Sequence, residues 1–140
     1  MIKYSKLPEN IQNLLPLVGE YLKSRKDVLF AYLFGSIARG RPSSLSDVDF
    51  AVYFSEDADV LERKMEILGK LIELLETDEI DLVILNSAPL ALRMKILETK
   101  KVIVDNAPFL RHDYESLTMR EYFDFSIREM AILERRFLHG

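Results

Sequence analysis

The sequence contains no cysteine and no tryptophan, and its only histidines are His112 and His139. Without cysteine the chain can form neither a disulfide nor a thiolate metal site, and two histidines are a poor basis for a structural zinc site. No apolar run approaches the roughly 18 residues of a membrane span, and the first residues, MIKYSKLPEN, lack the apolar segment of a signal peptide. We therefore expect a cytoplasmic protein with no membrane partner.

The chain also lacks an excess of positive charge. Its 19 lysines and arginines are outnumbered by 23 acidic residues, for a formal net charge of −4. A dedicated duplex-DNA binder usually carries a basic face or a high isoelectric point, so the composition argues against nucleic acid as the main partner. With 140 residues, nearly half of them apolar, the chain is long enough for one compact domain and short for two.

Hydrophobic periodicity predicts alternating helices and strands. Apolar residues at three- and four-residue steps indicate amphipathic helices, and short apolar runs rich in aromatic and β-branched residues indicate buried strands. The predicted elements are a helix over Pro8 to about Arg25, strands over Val28–Phe34 and Val48–Phe54, a helix over Ala58–Glu76, a strand over Ile80–Leu85, a helix over Pro89–Leu97, a strand over Lys101–Val104 and a helix from about Ser116 to Leu138. This order is typical of an α/β (α+β) domain with a small mixed sheet flanked by helices.

Two of the predicted helices have informative apolar faces. In the helix over Ala58–Glu76 the expected buried stripe is Leu61, Met65, Leu68, Ile72 and Leu75. The last helix has apolar residues around more than half its girth, because Phe125 and Ile132 lie off its main stripe. Such a helix either folds across its own core or has a second surface to cover it, and the pattern leaves both open. We expect that it forms part of the surface that docks a partner protein.

The most informative pattern is GS at 35–36, ten residues, then DVD at 47–49, directly after the first predicted strand. Because alternate residues of a strand face the same side, Asp47 and Asp49 present two carboxylates together. A lone D-x-D is commonly a solvated strand end, but here a third carboxylate, Asp81, opens another apolar strand. Carboxylates that close repel one another unless a cation lies between them, and Mg²⁺ takes few carboxylates plus substrate phosphates. The pattern therefore predicts a magnesium site.

The Gly-Ser turn is suited to phosphate. Gly35 lets the backbone and a phosphate approach closely, and Ser36 is placed to begin a short helix whose free N–H groups and hydroxyl bind anionic oxygens. Arg39 or Arg41 would add positive charge beside a triphosphate, although arginines in such a loop are about as often simply solvated. The turn and the carboxylates together predict a nucleoside triphosphate as the ligand.

These residues resemble the signature of the polymerase-beta-type nucleotidyltransferase superfamily, G-S-x10-D-x-D with a third carboxylate on a later strand. The chain matches it at Gly35, Ser36, Asp47, Asp49 and Asp81 without departure. In its small size and in the pattern G-S-x-A-R-G, the chain resembles the minimal nucleotidyltransferases, which are the MNT or MntA-type antitoxins of HEPN/MNT pairs.

The resemblance implies a polymerase-beta-like fold with a long C-terminal helix. The whole chain, 1–140, would be one nucleotidyltransferase domain, with a catalytic core at about 10–105 and a C-terminal helical tail at about 106–140.

The resemblance also implies a reaction. Members of the superfamily use two Mg²⁺ ions, for which Mn²⁺ can substitute, to move a nucleoside monophosphate onto a hydroxyl with release of pyrophosphate. MntA-like members transfer AMP from ATP to a tyrosine of the HEPN toxin. Asp47 and Asp49 would be metal ligands, and Asp81 would complete the second metal site and help to deprotonate the attacking hydroxyl. Gly35 and Ser36 would hold the β and γ phosphates.

Two other functions stay open from the sequence. In the first, the chain is a nucleotidyltransferase whose acceptor is a small-molecule hydroxyl, such as that of an antibiotic. In the second, the chain is an antitoxin that neutralises its partner by occlusion, without catalysis. The roughly 35 residues after the last strand are fewer than drug-modifying relatives use to hold their acceptor, which favours a protein acceptor. A pure binder gains nothing evident from three clustered carboxylates, which favours an enzyme.

Overall fold

The structure is a computed structural model that describes residues 10–40, 47–56 and 59–138. Its elements are α1 (Ile11–Ser24), β1 (Val28–Phe34), α2 (Gly35–Ala38), β2 (Val48–Phe54), α3 (Val60–Leu75), β3 (Ile80–Ile84), α4 (Leu90–Thr99), β4 (Lys101–Asp105) and α5 (Pro108–Leu138), with a 3₁₀ turn at Leu85–Ser87. The α/β architecture and the long C-terminal helix predicted from the sequence are confirmed.

The four strands form one mixed sheet in the order β3-β2-β1-β4. Strand β1 pairs antiparallel with β2 and with β4, whereas β2 and β3 are parallel. A parallel pair needs a crossover connection, which α3 supplies. As a result, the end of β1 and the beginnings of β2 and β3 meet at one end of the sheet.

Helices cover both faces of this sheet. One core cluster joins side chains of α1 and α3 to one face, and a second cluster joins α4 and α5 to the other. Strand β1 is therefore buried on both sides, and six of its seven residues are buried. This explains why β1 is a continuous apolar run rather than an alternating one.

The apolar stripe predicted for α3 is only partly right. Leu75 is buried as expected, but Leu61 and Met65 are 73% and 59% exposed, and the other buried positions are Ile67 and Leu71. Apolar residues occupy more than one face of α3, so periodicity gives the spacing of the buried face without identifying it. The side that faces the sheet follows from the path of the crossover, which is a tertiary property.

Helix α5 begins at Pro108 rather than at about Ser116, so the segment around His112, which lies outside the predicted helices, is helical. Proline is favoured in the first turn of a helix because its missing N–H has no intrahelical partner there. The next turn is joined by an ion pair between Arg111 Nη1 and Glu115 Oε2 at 3.1 Å, one helical turn apart. This part of α5 docks through the charged Arg111 and Glu115 and the ring of Tyr114, which together do not form an apolar stripe.

Beyond Thr118 the side chains of α5 lie largely in solvent. Every large apolar side chain from Met119 to Phe137 is at least 37% exposed. Within the part of the chain that the structure describes, this half of α5 does not fold across the core. No helix of that part is long and apolar enough to cross a membrane.

Candidate active site

Strands β2 and β3 place Asp49 and Asp81 side by side. The two residues are direct partners in the parallel pairing, and on the other side of β2 the partner of Asp49 is Phe34, the last residue of β1. Residues opposite each other in neighbouring strands point to the same face of the sheet. The sheet therefore brings two carboxylates together next to Gly35, which follows Phe34 in the chain.

Gly35 is required at its position for two reasons. Its φ of +78° lies in the left-handed region, which is unfavourable for residues with a Cβ atom. A Cβ atom built on it would also lie 3.2 Å from Cγ of Asp49 and closer still to Oδ2 of the same side chain. The turn and the close approach of the Asp49 carboxylate thus both depend on glycine.

A cavity of about 430 Å³ opens at this end of the sheet, which is within the size range of small-molecule sites. Its lining residues are Phe34, Gly35, Ser36, Arg39, Asp49, Asp81, Val83, Leu92, Lys95 and Thr99. Of the six residues predicted for the site, all but Asp47 are in this set. The cavity combines apolar walls, two carboxylates, two cationic side chains and a helix start.

Asp47 lies just before β2, is exposed and does not line the cavity. Its negative charge nevertheless raises the pKa of Asp49, and a hydrogen bond with Asp47 is the main cause of the raised pKa of Glu79. Asp47 directly follows residues 41–46, and Arg41, the alternative basic residue, is outside the described residues.

The carboxylate of Asp49 is held in surroundings that disfavour its charge. Burial, followed by the negative charges of Asp81 and Asp47, raises its pKa to about 6, and the positive charge of Lys95 acts in the opposite direction. A cation bound between the carboxylates would relieve this repulsion. The donors therefore fit a hard divalent cation, which prefers carboxylate oxygens. In residues 10–40, 47–56 and 59–138, however, no three acidic, histidine or cysteine side chains stand in the arrangement of a metal site, so the three-carboxylate site stays a prediction.

Helix α4 contributes residues that the sequence did not indicate. Leu92, Lys95 and Thr99 are spaced three and four residues apart, so one face of α4 forms a wall of the cavity. The hydroxyl of Thr99 accepts a hydrogen bond of 3.0 Å from the backbone N–H of Gly35. This hydrogen bond ties the Gly-Ser turn to α4. The sequence signal that could have indicated this wall is the spacing of Lys95 and Thr99. They lie one helical turn apart on the helix that follows β3, the strand that carries Asp81.

Solved structures of similar fold come from toxin–antitoxin complexes. A toxin–antitoxin with AMP-PNP has a chain similar to this one with a TM-score of 0.69 and 25% identity, over 87% of this chain and 96% of that chain. A variant of the MntA–HpeT toxin–antitoxin has a TM-score of 0.67 and 25% identity, over 88% and 94%. The complex of a tri-AMPylated Shewanella oneidensis HEPN toxin with MNT antitoxin has a TM-score of 0.62 over 89% and 93%; at 23% identity this likeness concerns the fold alone.

By sequence, no curated protein matches the chain. The family model described as "Polymerase beta, Nucleotidyltransferase" does match, over residues 18–108. That span includes both strands with the paired aspartates, the Gly-Ser turn and the wall formed by α4. The chain belongs to the polymerase-beta nucleotidyltransferase family.

Proposed function

We propose that the protein transfers AMP from ATP to a tyrosine hydroxyl of a HEPN-type toxin and so acts as the antitoxin of a toxin–antitoxin pair. The observation that carries the proposal is the pairing of Asp49 with Asp81 beside Gly35, in the lining of a cavity of about 430 Å³. Family membership supports the transfer of a nucleotidyl group, and the site supplies the donors that a triphosphate and its metal require.

The carboxylates are the residues that would hold divalent metal. Asp49 and Asp81 would bind Mg²⁺ or Mn²⁺, with Asp47 as a further carboxylate at the start of the same strand. Bound metal would neutralise the charge of the phosphates and polarise the reacting oxygens. The raised pKa of Asp49 supports this role, because a carboxylate that is poorly stabilised alone gains most from a cation.

The residues on the other side of the cavity would bind and orient the triphosphate. Ser36 lines the cavity and has a hydroxyl that can donate a hydrogen bond, and Arg39 adds a charge that suits phosphate oxygens. The acceptor oxygen would form a bond to the α-phosphorus while the bond from that phosphorus to the bridging oxygen breaks, and pyrophosphate leaves. Asp81 would take the proton of the attacking hydroxyl.

The similarity to solved toxin–antitoxin structures supports a protein as the acceptor. The similarity extends over nearly the whole length of this chain, and one of the solved structures contains AMP-PNP, an analogue of ATP. The uncovered apolar half of α5 supplies a surface on which such a partner can dock. A protein acceptor must place its hydroxyl in line with the α-phosphate, which docking on a rigid helix can do.

The test is to incubate the protein with ATP, Mg²⁺ and the protein encoded in the neighbouring reading frame. Intact-mass and peptide mass spectrometry should show AMP on a tyrosine of the partner. Asp49→Asn should reduce transfer by at least about a hundredfold, since it removes one charge from the metal site. Asp113→Asn, an exposed aspartate of α5 that does not line the cavity, is the matched control and should retain full activity.

The same experiment separates the proposal from its alternatives. A partner that is inhibited by both the wild type and Asp49→Asn, with no change in mass, would indicate neutralisation by occlusion. AMP found on a small-molecule hydroxyl but never on the partner would indicate a drug-modifying enzyme. Either result overturns the proposal.

A further inference from the structure

One face of α4 lines the same cavity as the paired aspartates. Leu92, Lys95 and Thr99 line it, while Ile96 and Leu97 are buried in the core beneath. Because buried side chains on the same helix hold α4 against the sheet, the lining side chains have a defined position relative to the Gly-Ser turn.

Thr99 joins α4 to the turn directly. Its hydroxyl accepts the Gly35 N–H at 3.0 Å, across 64 residues of sequence, in a partly buried position. A threonine hydroxyl keeps a hydrogen to donate after it has accepted one. Thr99 can therefore hold Gly35 in its left-handed conformation and still offer a hydrogen to a ligand oxygen in the cavity.

Lys95 lies one helical turn before Thr99. Its ammonium group acts on the Asp49 carboxylate through charge, yet among the residues described it forms no ion pair within 4.0 Å. An exposed lysine that lines a cavity and is not held by a carboxylate is available to a phosphate group. A lysine is well suited to phosphate as a mobile point charge.

We propose that α4 is the second phosphate-binding wall of the site, in which Lys95 binds triphosphate oxygens and Thr99 positions the Gly35–Ser36 turn. This rests on the proposed function, since it assumes that the cavity takes a nucleoside triphosphate. In this arrangement the N–H of Gly35 donates to Thr99, and the side chains of Ser36 and Lys95 bind the phosphates.

The test for Lys95 is calorimetric binding of three probes in the presence of Mg²⁺: ATP, inorganic tripolyphosphate and adenosine. Lys95→Met keeps the length of the side chain and removes its charge, and should weaken ATP and tripolyphosphate binding by roughly 10- to 100-fold, as expected for a lost charged hydrogen bond. Adenosine binding should not change, and Lys95→Arg should retain most of the ATP affinity. Lys70→Met is the matched control, because Lys70 is a half-exposed lysine of α3 that pairs with Glu73 and does not line the cavity, so all three affinities should be unchanged.

Three results would overturn the inference. ATP affinity in Lys95→Met within twofold of the wild type, with AMP transfer to the partner intact, would remove Lys95 from the site and leave the proposed function standing. An equal loss of adenosine and ATP affinity would show that the lysine acts on the nucleoside rather than on phosphate. A wild-type protein that binds no ATP would overturn the inference together with the proposed function.

Thr99 needs a readout that a merely structural residue would not change. Thr99→Val keeps the shape of the side chain but cannot accept the Gly35 N–H, so the Gly35 amide should exchange its hydrogen faster and ATP should bind about 2- to 10-fold more weakly. Thr99→Ser restores the hydroxyl and should restore both properties. If Thr99→Val lowers the melting temperature without a selective change in Gly35 exchange or in ATP affinity, Thr99 is only a packing residue.

Discussion

Gly35 and Asp49 lie closer together than any side chain at position 35 would allow, since a Cβ atom there would be 3.2 Å from the carboxylate carbon of Asp49. Gly35→Ala should therefore displace Asp49 in addition to straining the turn. Gly40 is a matched control, because its φ of +73° is equally unfavourable for alanine but nothing lies within 4 Å of its Cβ position. Each substitution should cost about 1–2 kcal/mol of stability for the left-handed backbone. Only Gly35→Ala should also lose transfer activity, by roughly a hundredfold.

Denaturant unfolding and a transfer assay on both variants check this prediction. Equal activity of Gly35→Ala and Gly40→Ala would show that the Asp49 carboxylate has room to move without loss.

The raised pKa of Asp49 predicts how stability depends on pH in the absence of divalent metal. Burial and the neighbouring charges of Asp81 and Asp47 raise this pKa from 3.8 to about 6, so the folded state binds a proton more tightly than the unfolded state does. The contribution of Asp49 to stability is then most favourable below about pH 4 and is lost as pH rises through 6. The Asp49→Asn variant has no carboxyl to ionise at this position, so its stability should not fall in this way as pH rises. Its melting temperature at pH 8 should be a few degrees higher than that of the wild type.

Thermal melts of both proteins in EDTA between pH 4 and pH 8 measure the effect. Saturating Mg²⁺ should narrow the difference at pH 8, because metal stabilises the ionised carboxylate of the wild type only. A difference in melting temperature that does not vary with pH would contradict the raised pKa.

The contribution of Glu115 to stability should have the opposite pH dependence to that of Asp49. Burial alone would raise its pKa, but hydrogen bonds from Tyr32, Lys100 and Arg111 outweigh burial and hold the pKa below the ordinary 4.5. Its stabilising effect is therefore present above pH 4.5 and lost as pH falls below that value. Glu115→Gln should destabilise the fold by about 2 kcal/mol at pH 7, because the partly buried Lys100 and Arg111 lose this anion, although Arg111 keeps its ion pair with Asp105.

Urea unfolding at pH 7 and at pH 3.5 tests this, with Glu129→Gln on the exposed half of α5 as the control. The control should lie within about 0.5 kcal/mol of the wild type. The difference between Glu115→Gln and the wild type should shrink at pH 3.5, and a difference that is the same at both pH values would count against the ion-pair assignment.

The exposed half of α5 predicts where the partner protein binds. Phe125 and Ile132 are each 46% exposed, so replacing both with serine should leave the fold intact and weaken the complex with the proposed HEPN-type partner at least tenfold. Leu61 and Met65 of α3 are at least as exposed and provide the matched double variant, which should bind the partner normally. Binding of ATP with Mg²⁺ should be the same in both.

Size-exclusion chromatography and a titration of the partner give the readout. Full affinity in the Phe125 and Ile132 variant, or an equal loss in the α3 variant, would show that docking uses another surface. Loss of the fold in the α5 variant would show that these side chains are covered after all.

The strands and the site signature were accessible from the sequence because both depend on local pattern. Short apolar runs between turn residues gave the four strands to within about two residues of the structure. Once β2 and β3 are neighbours in one sheet, Asp49 and Asp81 are paired. This pairing, together with the turn after β1, brings five of the predicted residues to one cavity. Their roles as metal and phosphate ligands are predictions that the experiments above address.

What could not be predicted depends on contacts between distant segments. The role of Thr99 arises because α4 packs across the sheet end and brings the hydroxyl to Gly35, and no local pattern encodes that contact. The predicted start of α5 was wrong because the docked face of its first turns carries Glu115 and Arg111. Apolar periodicity does not distinguish such charged residues from those of a solvated loop. The buried face of α3 was misplaced for a related reason, since several faces of that helix are apolar.

The buried hydrogen bond between Tyr32 and Glu115 also bears on which hydroxyls could accept AMP in the proposed reaction. Tyr32 is fully buried and its hydroxyl donates to Glu115 at 2.6 Å, while the hydroxyl of Tyr114 donates to the carbonyl of Leu85 at 2.7 Å. Burial is the first cause of a raised pKa at both phenols, which keeps them protonated and weakly nucleophilic. Attaching AMP to either oxygen would require α5 to detach from the sheet. For the proposed transfer of AMP to tyrosine, these two phenols of the protein itself are therefore poor acceptors, and the reaction is directed to a hydroxyl of another molecule.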